Sequence, residues 1–126
     1  MNPTWQHFLT VRGARFDAEA VADFGDPALE RRSAAMGAGL APLSDFRLIR
    51  ATGEDATSFL HNLLSNDIRQ LDTAHALRCG LCSPKGRLLA DFLVWREDGG
   101  FLLQVSADIA PAILKKLAMY VLRSKV

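Results

Sequence analysis

Leu88-Leu89-Ala90-Asp91-Phe92-Leu93-Val94-Trp95, then Glu97-Asp98-Gly99-Gly100, then Phe101-Leu102-Leu103-Gln104-Val105, is the stretch on which the fold turns. Two apolar runs of strand length flank turn-forming residues, which predicts a β-hairpin with a four-residue loop. Both runs are apolar at successive positions rather than at alternate ones, so both faces of the hairpin are expected to be covered. One charge, Asp91, interrupts the first run. On a pleated strand it shares a face with Leu89, Leu93 and Trp95, and a carboxylate there must find a cation, shift its pKa or line a polar cavity. A site carboxylate and a salt bridge to Arg78 or Arg87 are both open readings. Trp95 would add a flat aromatic plane suited to a heterocycle, and core packing is its plainer role.

Upstream, Ala56, Phe59, Leu60, Leu63 and Leu64 fall at the i, i+3, i+4, i+7, i+8 positions of one helical stripe, preceded by capping-box-like punctuation at Thr52-Gly53-Glu54-Asp55. Asn66-Asp67 is expected to end that helix, with Asp67 as a helix-end contact. Phe46–Arg50 reads as a strand, Ala74–Cys82 as a mostly small apolar segment, and Ser83-Pro84-Lys85-Gly86 as the turn that follows it. Downstream, Ser106 or Asp108 can cap a last helix whose Ile109, Ile113, Leu117 and Tyr120 share a face. Val121–Val126 then reads as the start of another strand. Strands and helices in this order predict an α+β fold, with a mostly antiparallel sheet and packed helices.

The first forty residues are less patterned. Met1–Gly25 has poor periodicity and reads as an extension or docking arm, whereas Asp26-Pro27 supplies an N-cap and a first-turn proline for a short helix stopped by Gly37 and Gly39. The domain division expected is residues 1–39 as an N-terminal extension with a short helix and residues 40–126 as a lobe truncated at its C-terminus. With 126 residues, nearly half of them apolar, the chain can bury a sizeable core. Fifteen Lys and Arg against fourteen Asp and Glu leave no electrostatic footprint for direct nucleic-acid binding or for a membrane surface. No basic, apolar leader opens the chain, and a cytoplasmic location is expected on that ground.

Cys79-Gly80-Leu81-Cys82 could hold redox or metal chemistry, but on a strand residues three apart point to opposite faces, and no second pair supports it. Two reduced, metal-free thiols are expected. The segment Gly80–Gly86 with Lys85 lacks the spacing of a phosphate loop. His7 and His61 have no nucleophile and orienting carboxylate identifiable beside them, so solvated or capping roles are expected and no catalytic residue is assigned.

Phe59-Leu60-His61-Asn62-Leu63-Leu64-Ser65-Asn66-Asp67-Ile68, Cys82-Ser83-Pro84-Lys85-Gly86-Arg87-Leu88-Leu89 and Tyr120-Val121-Leu122-Arg123-Ser124-Lys125-Val126 occur in order, and together resemble the N-terminal landmarks of the YgfZ family. The resemblance covers roughly residues 40–126. It implies the first lobe of the folate-binding fold shared with glycine-cleavage T-proteins, tetrahydrofolate as cofactor, and a role in iron–sulfur cluster assembly or repair and in tRNA modification. Iron–sulfur proteins would be the clients. In T-proteins the strand after the Lys-Gly or Gly-Gly turn carries an acidic pair whose second member works beside the folate, with an aromatic residue four positions on. Asp91 and Trp95 match those positions as folate-binding residues, and Ala90 replaces the first acid.

The family's Lys-Gly-Cys-Tyr-x-Gly-Gln-Glu segment does not occur here, so Cys82 is not that family's cysteine. YgfZ-type members often lack the carboxylate, and its presence keeps a second reading open, an aminomethyltransferase of the T-protein type. A third is a folded lobe with no activity. On any of these readings the strand expected at Val126 leaves an exposed edge through which copies could associate. The lobe by itself would hold tetrahydrofolate feebly or not at all.

Overall fold

The computed structural model describes residues 1–126. They form two compact units, Met1–Asp45 and Phe46–Val126.

In the first unit, helix α1 (Pro3–Val11) starts where the Asn2 side chain accepts the backbone N–H groups of Thr4 and Trp5, with Pro3 in the first turn. Strands β1 (Arg15–Asp17) and β2 (Ala20–Asp23) pair antiparallel, tied by an Arg15–Asp23 ion pair. Helix α2 (Pro27–Met36) is capped by Asp26, which accepts from Ala28 and Leu29. Glu30 reaches back to the N–H groups of Phe24 and Asp26. The expected irregular arm is therefore an ordered helix and hairpin. Its start carries the same cap-then-proline signature as Asp26-Pro27, and Trp5, Phe8 and Leu9 make a short i, i+3, i+4 stripe of which only Leu9 is buried. Leu9 and Ala14 are the unit's only buried side chains.

The second unit comprises β3 (Phe46–Thr52), α3 (Ala56–Leu63), a 3-10 turn (Ile68–Gln70), β4 (Ala76–Cys82), β5 (Leu88–Glu97), β6 (Gly100–Ser106) and α4 (Ala110–Val121). The α+β class holds, and the four-stranded sheet is antiparallel throughout in the order β3-β6-β5-β4. One face of the sheet carries Ile49, Ala51, Cys79, Leu81, Ala90, Phe92, Val94, Phe101, Leu103 and Val105. It meets Ala56, Phe59 and Leu60 of α3 and Ala110, Ile113 and Leu117 of α4 in one buried cluster. Both helices lie on that side, so the hairpin is covered on one face only. Apolar side chains at both parities of β5 do not reveal which face the helices take.

The β5–β6 connection is two residues, Asp98 and Gly99, because Glu97 and Gly100 already pair; Gly99 supplies the positive φ of +84° that the tight turn requires. α4 runs on through Val121, whose side chain continues the Ala110, Ile113, Leu117 stripe against the core. Tyr120 falls off that stripe and is exposed. This helical continuation overrides the strand expected at Val121–Val126.

Instead, Lys125 docks beside α3. Its N–H donates to Asp55 Oδ2 at 2.8 Å, its carbonyl accepts from the Asp55 N–H at 3.3 Å, and its Nζ meets Glu54 Oε2 at 2.7 Å. Asp55 is thus engaged by Lys125 rather than closing a capping box, and makes no side-chain cap to α3. A Cβ at Gly53, whose φ is +115°, would fall on the Lys125 carbonyl oxygen.

The two sheet edges differ. Leu64 bridges Leu81, the Ser65 N–H donates to the Gly80 carbonyl at 2.9 Å, and Asn66 Nδ2 donates to the Arg78 carbonyl at 3.2 Å, which masks the outer side of β4. β3 pairs with β6 alone and forms the unpaired edge.

Candidate functional site

The face of the sheet turned away from the helices is where Asp91 and Trp95 stand. Pairing registers place its rows: Arg50, Leu102, Trp95 and Ala76 in one, and Leu48, Gln104, Leu93 and Arg78 in the next. Asp91 lies beyond them, opposite Gly80. The rows mix large apolar side chains with paired charges. Arg50 donates to Glu97 at 2.7 Å, and by register this pair reaches from β3 across β6 to β5. Leu102, the neighbour of both Trp95 and Arg50, is 6 % exposed although it lies on the open face.

Asp91 is not the desolvated carboxylate its apolar surroundings in sequence suggested. Its side chain is 74 % exposed, and its one cation, Arg78, stands 3.8 Å away with 84 % exposure. Such a pair is screened by water and holds little energy. The physical reason is the face. Ala90, Phe92 and Val94 take the covered side of β5, which leaves Asp91 in solvent without any desolvation cost. Leu89 also leaves the expected row. The register slips by one residue beside it, and its side chain packs against the buried cluster. Trp95 is half-buried beside Ala76 and Leu102. The structure does bring Asp91 and Trp95 onto one face of one strand, four residues or about 13 Å apart along it.

The C-x-x-C divides as strand geometry requires: Cys79 is buried on the helix side, where desolvation pushes its thiol pKa up, and Cys82 is exposed. No three His, Cys, Asp or Glu side chains converge as metal ligands would, and no helix is long and apolar enough to cross a membrane.

Asp67 lies beyond the end of α3 and caps the following 3-10 turn. Hydrogen bonds from the Arg69 side chain first, then from the Arg69 backbone and Gln70, hold its carboxyl well below the usual range. His61 Nδ1 stands 3.2 Å from the same carboxylate, and Asp72 is held low chiefly by His75. These are local turn contacts.

Two features of the open face were missed in the sequence. Gln104 is the one polar residue of Phe101–Val105, and strict alternation along that strand would have placed it beside Leu102 on the uncovered side. The Arg50–Glu97 pair joins residues distant in sequence, and only the strand order brings them together.

No family model matches the chain. Over 95 residues it is 35 % identical to the iron–sulfur cluster assembly factor IBA57 homolog, mitochondrial, of Neurospora crassa, an alignment taking in 70 % of this chain and 22 % of that protein. The chain therefore spans less than a quarter of the relative's length. The expectation of a cytoplasmic location conflicts with this mitochondrial relative and does not stand. A missing leader describes only the residues at hand and does not report where a protein resides.

Proposed function

We propose that this chain is the N-terminal lobe of a YgfZ-type folate-binding protein that assists iron–sulfur cluster assembly, with the open sheet face as one wall of the folate site. The observation that carries the pathway assignment is the 35 % identity over 95 residues to a named assembly factor. The assignment of the face is supported by Asp91 and Trp95 sharing it. A flat heterocycle laid there would stack on Trp95, and Asp91, about 13 Å along the strand, would accept a hydrogen bond from a nitrogen beyond the ring.

Such a wall holds a ligand from one side only. The area it buries does little to offset the cost of immobilisation, so the dissociation constant of this chain for tetrahydrofolate is on the order of a millimolar or weaker, worth about 4 kcal/mol. The remaining walls would come from further polypeptide. The role is accessory: folate is held rather than turned over, iron–sulfur proteins are the clients, and tRNA modifications that depend on such enzymes follow.

Disrupting the gene for this chain and assaying iron–sulfur enzymes beside enzymes without clusters tests the pathway. The first group should lose activity while the second does not. An unchanged ratio between the groups would remove the reading.

A further inference from the structure

The segment between α3 and the 3-10 turn is anchored by two buried side chains, Leu64 and Ile68, and of the residues between them Ser65 and Asn66 are exposed. Those two residues make the contacts that cover the outer side of β4. The Gly80 N–H donates to Ser65 Oγ at 2.8 Å, the Ser65 N–H donates to the Gly80 carbonyl at 2.9 Å, and Asn66 reaches the Arg78 carbonyl. Gly80 has no side chain to hold the segment off, and a Cβ there would lie 3.4 Å from Ser65 Oγ.

One ion pair spans this segment. His61, in the last turn of α3, places Nδ1 3.2 Å from Asp67 Oδ1, the two side chains being 29 % and 27 % exposed. That nitrogen is buried and makes no hydrogen bond although the carboxylate is within reach, so the ring does not aim an N–H at it. A hydrogen bond needs that alignment, whereas attraction between charges does not. The hold of His61 on Asp67 therefore depends on the protonation of the imidazole. Asp67 stays ionised throughout, since Arg69 first and then Gln70 hold its carboxyl well below the usual range. Both of those partners belong to the turn itself, so neither ties Asp67 back to α3. The other titratable groups on the covered side of the elements around α3 are Arg47 of β3, Cys79 of β4, Arg96 of β5 and the half-buried Lys116 of α4, and β6 has none. Arg96 is committed to the Leu71 carbonyl and the Phe101 ring, and burial keeps Cys79 a thiol. Glu54 and Asp55 lie at the far end of α3, engaged by Lys125. Asp67 is thus the one anion at His61.

We infer that the His61–Asp67 pair is a pH-dependent latch on the β4 edge. Protonated His61 fixes Ser65 and Asn66 against β4, and loss of its charge, as the pH rises through the range in which histidines titrate, frees the Gly80 and Arg78 backbone groups for an added strand. Leu64 and Ile68 stay in the core in both states, so the latch opens the edge without unfolding the unit.

Hydrogen exchange at the Ser65 and Gly80 amides tests it, read as protection relative to an unstructured chain at each pH and normalised to Leu103 in the core. Between about pH 5.5 and 7.5 both amides should lose roughly fivefold in protection, the worth of a partly exposed ion pair. His61→Gln, uncharged at every pH, should give a flat profile at the lower level. Asp67→Asn, which keeps the imidazole and removes its partner, should be flat as well, and it carries the test if His61→Gln fails to fold. His75→Gln removes the neighbouring His75–Asp72 pair and should leave the step in place. A flat profile in the unmodified chain, a step that survives His61→Gln or Asp67→Asn, or one that disappears with His75 overturns the latch.

Discussion

Residues 46–126 gather nineteen buried side chains into one cluster, whereas residues 1–45 bury only Leu9 and Ala14. Both regions contain helices and paired strands. In the larger one, regular structure is held by apolar area removed from water, at roughly 25 cal/mol per Å². In the smaller one the visible devices are local: two side-chain N-caps, the Arg15–Asp23 ion pair, and the stacked Trp5 and Phe8 rings with Arg12 3.5 Å over Phe8. Helices held this way are individually marginal. The contrast teaches that secondary structure alone does not report stability, and that the two regions should answer differently to substitution.

The strongest challenge to the contrast is Phe92→Ala, at a side chain 1 % exposed. It should lower the unfolding free energy of the larger unit by about 3–5 kcal/mol. A urea midpoint that barely moves would mean the cluster is not what holds the sheet and helices together.

Gly53→Ala comes next, at about 2 kcal/mol, because the new Cβ collides with the Lys125 carbonyl and the residue sits at positive φ. Hydrogen exchange at the Lys125 amide should accelerate more than exchange at Leu103. Equal acceleration at both would show that the Lys125 contact is part of the core and not an attachment to it.

Removing a cap from the smaller unit sharpens the comparison. Asn2→Ala should cost about 1 kcal/mol within α1, seen as faster exchange at Thr4 and Trp5, with the main unfolding transition unmoved. A shift of that transition would mean the two regions unfold together.

The smallest effect expected is that of Asp67→Asn. The Asp67 carboxyl is held below its ordinary value of 3.8, chiefly by Arg69. Its contribution is therefore fully present above that value and is lost as the pH falls towards the depressed one. The substitution should destabilise slightly at pH 7, and the difference from the unmodified chain should shrink below about pH 4. A penalty that stays constant on acidification would assign the contact to neutral hydrogen bonding.

Elements whose pattern matches their packing were readable in the sequence. The α3 stripe is one, since Ala56, Phe59, Leu60 and Leu64 are the residues that become buried. The β5 and β6 runs are another. What the sequence concealed depends on choices made by the whole fold. Asp91 looked desolvated because β5 is apolar at both parities, and only the placement of α3 and α4 on one side leaves it in water. Val121 has the branched side chain of a strand residue, yet it completes a helical stripe. α1 went unread because its apolar stripe, Trp5, Phe8 and Leu9, spans little more than one turn. The open face itself was half visible: Asp91 and Trp95 stood out as a lone charge and an aromatic residue in a strand, while Gln104, the one polar residue of its strand, was legible only by strict alternation along β6.

The sheet has one sealed side and one bare side, and that asymmetry limits how copies of the chain can join. With Leu64, Ser65 and Asn66 laid along β4, backbone pairing to the four-stranded sheet is available only at β3, whose outward amide and carbonyl groups can meet their own image about a two-fold axis. Once two β3 strands pair, both outward ends of the joined sheet are sealed. Growth by strand addition to this sheet stops at two, so sedimentation at rising concentration should resolve monomer and dimer, and a ladder of larger species would show that the seal over β4 gives way or that the β1–β2 hairpin also pairs.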